Sequence, residues 1–218
     1  MAAVPRRCLR PAQSRVRDAG HRAYRSEPRS IARRSRLSGD VGDLLIPVAG
    51  IVAFGLATFG IAFSRYRHLI ADRRVHGLKG AALAYHSLLR IPLGTALAEE
   101  LLFRGALFAA WRAAGASTVT AALCAAVSFG LWHISPTAIL VSINDPMASA
   151  RKLRMTIASA VIFTTIAGLG LTWLRLETDG LVAPIVLHAG VNSVGALGAV
   201  VAGRRVDAQA VAPAQFRP

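Results

Sequence analysis

Charged residues, acidic residues and cysteines are all scarce in this sequence. Charged residues make up 17% of the 218 residues, whereas soluble domains average about 25%, so an ordinary soluble domain is disfavoured. Only 11 acidic residues stand against 26 basic ones. The two cysteines, Cys8 and Cys124, have no neighbouring partner, which argues against a disulfide framework and against a cysteine-based zinc site.

The net charge of +15 lies at the N-terminus and between apolar segments. The first 38 residues contain eleven arginines and two acids, hence +9, and most of the other +6 falls between apolar segments. This alternation is typical of membrane proteins. A nucleic-acid-binding protein would need a basic face on a soluble domain, and no such domain remains outside the apolar segments. We therefore predict a multi-pass protein of the cell membrane that contacts lipids and binds no nucleic acid.

Five apolar segments are long enough to cross a membrane. About 20 apolar residues in a helix span the hydrocarbon core, and at these segment lengths only helices satisfy their backbone hydrogen bonds there. The sequence therefore predicts an all-α transmembrane bundle of five to six spans, the sixth being a short piece at residues 80–90. The five predicted spans are residues 44–64, 91–112, 117–143, 155–174 and 181–202.

The predicted domain order follows from these spans. A disordered arginine-rich arm at residues 1–40 precedes a transmembrane domain at residues 41–203, and a disordered tail at residues 204–218 follows it. The polar motifs described below lie in a core at residues 80–202. Orientation stays open, because the arm and the basic connector at residues 65–79 lie on opposite sides of the first span.

Two prolines and two glycines predict local features of the spans. Pro92 should break or start a helix, and Pro136 should kink one. Gly195 and Gly198 belong to a row of small residues in the last span. Small residues at helical spacing allow another helix to approach closely.

Polar side chains occur inside three of the spans, and they come in pairs four residues apart. Glu100 and Arg104 would share one helical face as an ion pair, while Glu99 projects about 100° away from Glu100. Phe129 and His133 share a face, and so do His188 and Asn192. Because hydrocarbon offers these groups no partners except one another, we expect them to converge on a polar cavity, and intramembrane ionisable groups indicate function.

Three motifs in this order resemble those of the CAAX-protease and bacteriocin-processing family of intramembrane proteases. They read Glu-Glu-x-x-x-Arg from Glu99, Phe-x-x-x-His from Phe129 and His-x-x-x-Asn from His188. The resemblance covers about residues 80–202. It implies an intramembrane endopeptidase that cleaves near the C-terminus of a lipidated or otherwise membrane-associated peptide.

The residues suggest a water-based mechanism that the resemblance also implies. Neither a serine or cysteine nucleophile with a histidine base nor a His-Glu-x-x-His zinc signature is evident. Glu99 would be the general base and His133 would hold the same water. His188 and Asn192 would donate to the oxyanion. The remaining three, Glu100, Arg104 and Phe129, would orient the site.

Two alternatives remain open at this stage. Zinc, held by Glu99, His133 and His188, is the alternative to a cofactor-free mechanism. We favour the cofactor-free mechanism because no residue is visible in the sequence as an outer partner for both imidazoles. A non-catalytic membrane scaffold, or a self-immunity protein against a peptide toxin, is the alternative function, because a fold alone does not prove activity.

Overall fold

The structure is a computed structural model that describes the backbone of residues 36–211 and the side chains of residues 44–208. Contacts divide the chain into two units, residues 1–39 and residues 40–218, and the site described below lies in the second. The predicted disordered arm falls almost wholly outside the described residues, as do residues 212–218 of the predicted tail.

Within the described residues the fold is entirely helical, which confirms the predicted all-α bundle. A long composite helix, α2, occupies residues 80–113. A single 3₁₀ turn, Arg67–Leu69, lies in the connector that precedes α2. The other helices are α1 (Arg36–Ala62), α3 (Thr118–Trp132), α4 (Ile134–Asn144), α5 (Ala150–Glu177) and α6 (Val182–Val211).

Helix α2 alternates between α-helical and π-helical segments without a break in the chain. The α-helical segments are Gly80–Tyr85, Ala98–Glu100 and Phe108–Ala113, and the π-helical segments are His86–Leu97 and Leu101–Leu107. Pro92 lies inside the first π-helical segment, so the prediction that it breaks or starts a helix is wrong. The predicted short piece at residues 80–90 and the predicted span that follows are one helix.

A side chain from α6 explains how α2 accommodates Pro92. Proline has no N–H, and in a π-helical i→i−5 pattern the carbonyl left without a donor is that of Ser87. Ser193 Oγ on α6 donates to this carbonyl at 2.7 Å. Hydroxyl groups of neighbouring helices can satisfy backbone groups that proline frees inside a membrane, so α2 continues through Pro92.

Within the described residues, four helical stretches are long and apolar enough to cross a membrane, namely Leu44–Ala62, Thr118–Asn144 (α3 and α4 together), Ala150–Glu177 and Val182–Ala208. Large apolar side chains such as Leu56, Phe163 and Ile166 point outward and are exposed, as expected where lipid replaces water. These features, with the family match given below, confirm a multi-pass membrane protein. Helix α2 is long enough to span as well, but it carries the charged residues of the site.

Helices α1 and α6 pack closely through glycines of α6, as the small residues predict. A Cβ atom added to Gly195 would lie 3.6 Å from the ring of Phe54, and one added to Gly198 would collide with Thr58. Helix α6 also continues past its predicted end at Ala202 to Val211. This extension contacts the connector: Arg204 Nη2 donates to the carbonyl of Leu78 at 2.6 Å.

Helices α3 and α4 meet at His133, where the chain leaves the helical pattern for one residue. Pro136 follows as the third residue of α4, where a missing N–H costs little because first-turn N–H groups have no helical partner. The two helices are therefore separated by a one-residue turn, three residues before the proline. The far end of α4 bonds the connector, because Asn144 Nδ2 donates to Asp72 Oδ1 at 3.1 Å.

Candidate active site

One cavity connects the polar residues of the helices with the basic connector. Its volume is about 760 Å³. Three of the predicted site residues line it: Glu99 of α2, His133 at the junction of α3 and α4, and Asn192 of α6. The part of the cavity next to the connector is lined by charged and titratable side chains, namely Asp72, Arg74, His86 and Arg90.

Behind the cavity wall, Glu100 and Arg104 form the predicted ion pair. Arg104 Nη1 donates to Glu100 Oε1 at 3.0 Å, and both side chains are fully buried. The guanidinium of Arg104 also lies 4.1 Å from the ring centroid of Phe129, a distance at which the ring face attracts a cation. The pair therefore neutralises one of the two adjacent carboxylates inside the bundle.

His188 is held by the same carboxylate. Its Nδ1 lies 2.8 Å from Glu100 Oε1, and its Nε2 lies 3.7 Å from Glu99 Oε2. Since Glu100 is paired with Arg104, its ionised oxygen can only accept, so Nδ1 of His188 carries the hydrogen. His188 is buried and does not line the cavity. It thus reaches the cavity only through Glu99, whereas Asn192 reaches it directly.

The ring of His133 is oriented by the end of α3. Its backbone N–H bonds to Gly130 O at 3.0 Å, one residue short of the α-helical pattern, so the ring can use the carbonyl of Phe129. His133 Nδ1 lies 2.7 Å from that carbonyl. A carbonyl only accepts, so Nδ1 carries the hydrogen and Nε2 of the neutral ring is left as an acceptor. An edge-to-face contact with Phe129, at 4.6 Å between centroids, supports the ring.

Glu99 is the carboxylate that faces the cavity. Its side chain is 13% exposed. Oε1 accepts from Trp132 Nε1 at 3.3 Å, while Oε2 is buried and has no hydrogen-bond partner among the described residues. One oxygen of Glu99 is thus oriented by α3, and the other lies enclosed next to Nε2 of His188.

This order of motifs on neighbouring helices is matched by a known protein family. A sequence model described as type II CAAX prenyl endopeptidase Rce1-like matches residues 81–194, just over half of the chain and all three motifs. The chain belongs to the Rce1-like family. The family membership points to a protease of the CAAX type. Searches of curated proteins and of solved structures gave no significant match.

The site of this Rce1-like chain includes residues that the sequence patterns did not indicate. Trp132 bonds Glu99 from a position beside His133, and Gly168 of α5 makes room for the ion pair. A Cβ atom on Gly168 would lie 3.2 Å from Arg104 Nη2 and 3.2 Å from Phe129 Cδ1. The position of Trp132 next to the motif histidine was the only sequence feature that could have indicated its role. No sequence feature indicated the role of Gly168.

The described residues of this Rce1-like chain do not form a three-ligand zinc site as placed. Nε2 of His188 lies 3.7 Å from Glu99 Oε2, and in residues 44–208 no group of three His, Cys, Asp or Glu side chains could hold a metal ion. The sequence-based reason for favouring a cofactor-free mechanism is nevertheless wrong. Both imidazoles have an outer partner at Nδ1, the carbonyl of Phe129 for His133 and the carboxylate of Glu100 for His188.

Proposed function

We propose that this chain is an intramembrane endopeptidase that hydrolyses a peptide bond near the C-terminus of a prenylated or otherwise membrane-associated peptide. The family match supports the reaction class. The observation that carries the proposal is the division between two adjacent carboxylates. Glu100 is buried and neutralised by Arg104, whereas Glu99 lines the cavity and its side chain is partly exposed.

The first step is the attack of water on the scissile carbonyl. Water in the cavity donates one hydrogen bond to the Glu99 carboxylate and another to Nε2 of His133, both of which are acceptors. As its oxygen attacks the carbonyl carbon, its proton passes to Glu99, the general base. His133 keeps the water in line, because its ring is held by the Phe129 carbonyl and cannot turn freely.

The second step is the collapse of the tetrahedral intermediate. As negative charge develops on the carbonyl oxygen, this oxygen accepts a hydrogen bond from the carboxamide of Asn192, which lines the same cavity. Donors placed at this oxygen contribute about 2.7–4 kcal/mol to transition-state stabilisation in another protease. The C–N bond then breaks, and the leaving amine takes the proton held by Glu99, so the carboxylate is regenerated.

His188 has a positioning role in this mechanism. Its Nδ1 hydrogen is committed to Glu100 and its Nε2 faces Glu99, so it links the neutralised carboxylate to the catalytic one. It does not line the cavity. We therefore assign the oxyanion to Asn192 rather than to both donors of the motif.

Replacing the base tests the proposal. The purified chain should cleave an S-farnesylated peptide, and Glu99→Gln should lower kcat to background while leaving the melting temperature and membrane insertion unchanged. Glu177→Gln, an exposed carboxylate at the end of α5, is the matched control and should cleave like wild type. Wild-type protein without peptidase activity, or a Glu99→Gln protein that retains it, would reject the proposal and favour the scaffold alternative.

A further inference from the structure

The cavity of the candidate active site extends well beyond the reacting groups. Besides Glu99, His133 and Asn192, its wall contains His86, Arg90 and Ile91 from α2 and, from the connector, residues 69–72, 74 and 75. Ile91, Thr95 and Glu99 follow one another at intervals of four residues along α2 and all line the cavity. One helix therefore leads from the catalytic carboxylate to a basic wall, the part of the cavity that is lined by Asp72, Arg74, His86 and Arg90.

The two arginines of this wall differ in their charge balance. Arg74 binds Asp72 through two nitrogens, with Nη2 at 2.8 Å and Nε at 3.0 Å from Oδ2. Burial alone would raise the pKa of Asp72, but hydrogen bonds from Arg74 and Asn144 outweigh it and hold the pKa below its usual range. Asp72 is thus ionised at neutral pH and neutralises Arg74.

Arg90 has no such partner within residues 44–208. Its side chain contacts the ring nitrogen Nδ1 of His86, at 3.3 Å from Nη1, and no described carboxylate lies within ion-pair distance of it. The guanidinium is always charged and presents five donors in a planar fork that matches a carboxylate. The wall therefore carries one uncompensated positive charge, at Arg90.

The position of Arg90 suggests what it binds. It precedes Glu99 by nine residues on the same helix, which corresponds to at most about 13.5 Å at the α-helical rise of about 1.5 Å per residue and to less in the π-helical segment that contains Arg90. An extended peptide covers about 3.3–3.6 Å per residue. A peptide bond placed at Glu99 would therefore bring a chain terminus three or four residues further on to Arg90.

We propose that Arg90 binds the free C-terminal carboxylate of the substrate and thereby sets the length of the segment that is released. This inference rests on the proposed endopeptidase function and adds a specificity-determining residue to it. The substrate would lie along α2, with its scissile bond at Glu99 and its terminal carboxylate in the fork of Arg90. Charge-assisted hydrogen bonds of this kind are stronger than neutral ones.

Kinetic measurements on matched peptides test the inference. The full-length protein in phosphatidylcholine nanodiscs is given an S-farnesylated peptide in which three residues follow the modified cysteine, either as free acid or as C-terminal amide. The free acid should have a KM about tenfold lower, which corresponds to about 1.4 kcal/mol. A peptide lengthened by three residues should resemble the amide.

Arg90→Gln should make the KM values for acid and amide equal, and Arg90→Lys should retain part of the difference, because lysine keeps the charge but not the fork. Arg74→Gln is the matched control from the same wall and should retain most of the discrimination, since Asp72 already compensates Arg74. Melting temperatures identify any variant that fails to fold. An Arg90→Gln protein that still prefers the acid would overturn the inference.

Binding to an uncleaving variant separates this inference from the proposed function. Fluorescent versions of the two peptides are titrated onto Glu99→Gln and onto the Glu99→Gln, Arg90→Gln double variant. Suppose that the wild type cleaves nothing, that Glu99→Gln binds the acid more tightly than the amide, and that the double variant shows no such preference. This result would reject the peptidase and support the carboxylate site. Equal affinity for acid and amide in Glu99→Gln would overturn the carboxylate site whatever the activity.

Lipid headgroups offer a second anionic ligand that the same titration distinguishes. The measurements are repeated in nanodiscs that contain phosphatidylglycerol. If Arg90→Gln reduces the retention of this lipid and does not change the discrimination between acid and amide, the wall binds headgroups and the inference is wrong. If the lipid only weakens peptide binding by competition, and this weakening is absent in Arg90→Gln, the carboxylate assignment is supported.

Discussion

His188 lies between the two adjacent carboxylates of α2, with Nδ1 at 2.8 Å from Glu100 Oε1 and Nε2 at 3.7 Å from Glu99 Oε2. The ring therefore connects a carboxylate that is fully buried and paired with one that faces the cavity. A change at His188 should act on both, but through different nitrogens. This difference allows the structural and the catalytic contributions to be measured separately.

Substitution of His188 by Asn and by Gln should each retain a different one of the two contacts that the ring makes. The amide of Asn can replace Nδ1 as the donor to Glu100, whereas the amide of Gln reaches the position of Nε2 near Glu99. We expect His188→Gln to lower the free energy of unfolding by about 1.5–3 kcal/mol, the worth of a hydrogen bond to a charged group, and His188→Asn to lower it less. Thermal unfolding and kcat are measured on both; equal stabilities would contradict the assigned role of Nδ1.

Breaking the buried ion pair should cost more than removing it. Glu100→Ala leaves Arg104 without its counter-ion in a site that is fully buried, and loss of one partner of a buried pair costs about 3–5 kcal/mol. The double variant Glu100→Leu, Arg104→Leu should recover much of the expression level but no activity. Yields in membranes and melting temperatures provide the test, and a single variant as stable as wild type would refute the coupling.

Asn192 should act mainly in the transition state. Asn192→Ala is expected to lower kcat by about 10²–10³ with little change in KM, the pattern of an interaction made only in the transition state. Asn192→Asp should be worse, because a carboxylate cannot donate and repels the developing charge. Steady-state kinetics on a cleavable peptide distinguish these outcomes. An unaltered kcat in Asn192→Ala would remove the oxyanion role.

Trp132 should position Glu99 without contributing to stability. Its indole N–H donates to Glu99 Oε1 at 3.3 Å, and the side chain is half exposed. Trp132→Phe keeps the ring but loses the donor, so kcat should fall by up to about tenfold while the melting temperature stays the same. Trp173→Phe, another half-exposed tryptophan, is the control and should behave like wild type. A shift in the pH dependence of kcat for Trp132→Phe alone would confirm that the effect passes through Glu99.

The two glycines of α5 provide a matched pair for the packing around the ion pair. A Cβ atom on Gly168 would press on Arg104 Nη2 and Phe129 Cδ1 at 3.2 Å each, whereas one on Gly170 would meet nothing within 4 Å. We expect Gly168→Ala to destabilise by about 1–3 kcal/mol, as overpacking does. Gly170→Ala should be neutral or slightly stabilising, since Ala favours a helix. Equal melting temperatures for both variants would contradict the packing described for Arg104.

Some features of the fold could be predicted because they depend on local chemistry. Segments of about 20 apolar residues must be helical in lipid, so the all-α class follows from composition and segment length. The pair Glu100–Arg104 follows from spacing alone, since residues four apart share a helical face. Pro92 shows the limit of local argument: its missing N–H predicted a break, and Ser193, 101 residues later in the chain, removes the reason for one.

The sequence by itself determined the helical class, the membrane location and the residues that bear charge inside the bundle, because these depend on the burial cost of each residue type. Only the tertiary structure decided what each polar group does with its hydrogens. In the folded chain Nδ1 of His188 donates to Glu100, Nδ1 of His133 donates to the Phe129 carbonyl, and the indole N–H of Trp132 donates to Glu99. Hydrogen bonds act over about 3 Å, and no spacing along one helix specifies which atoms of another come that near.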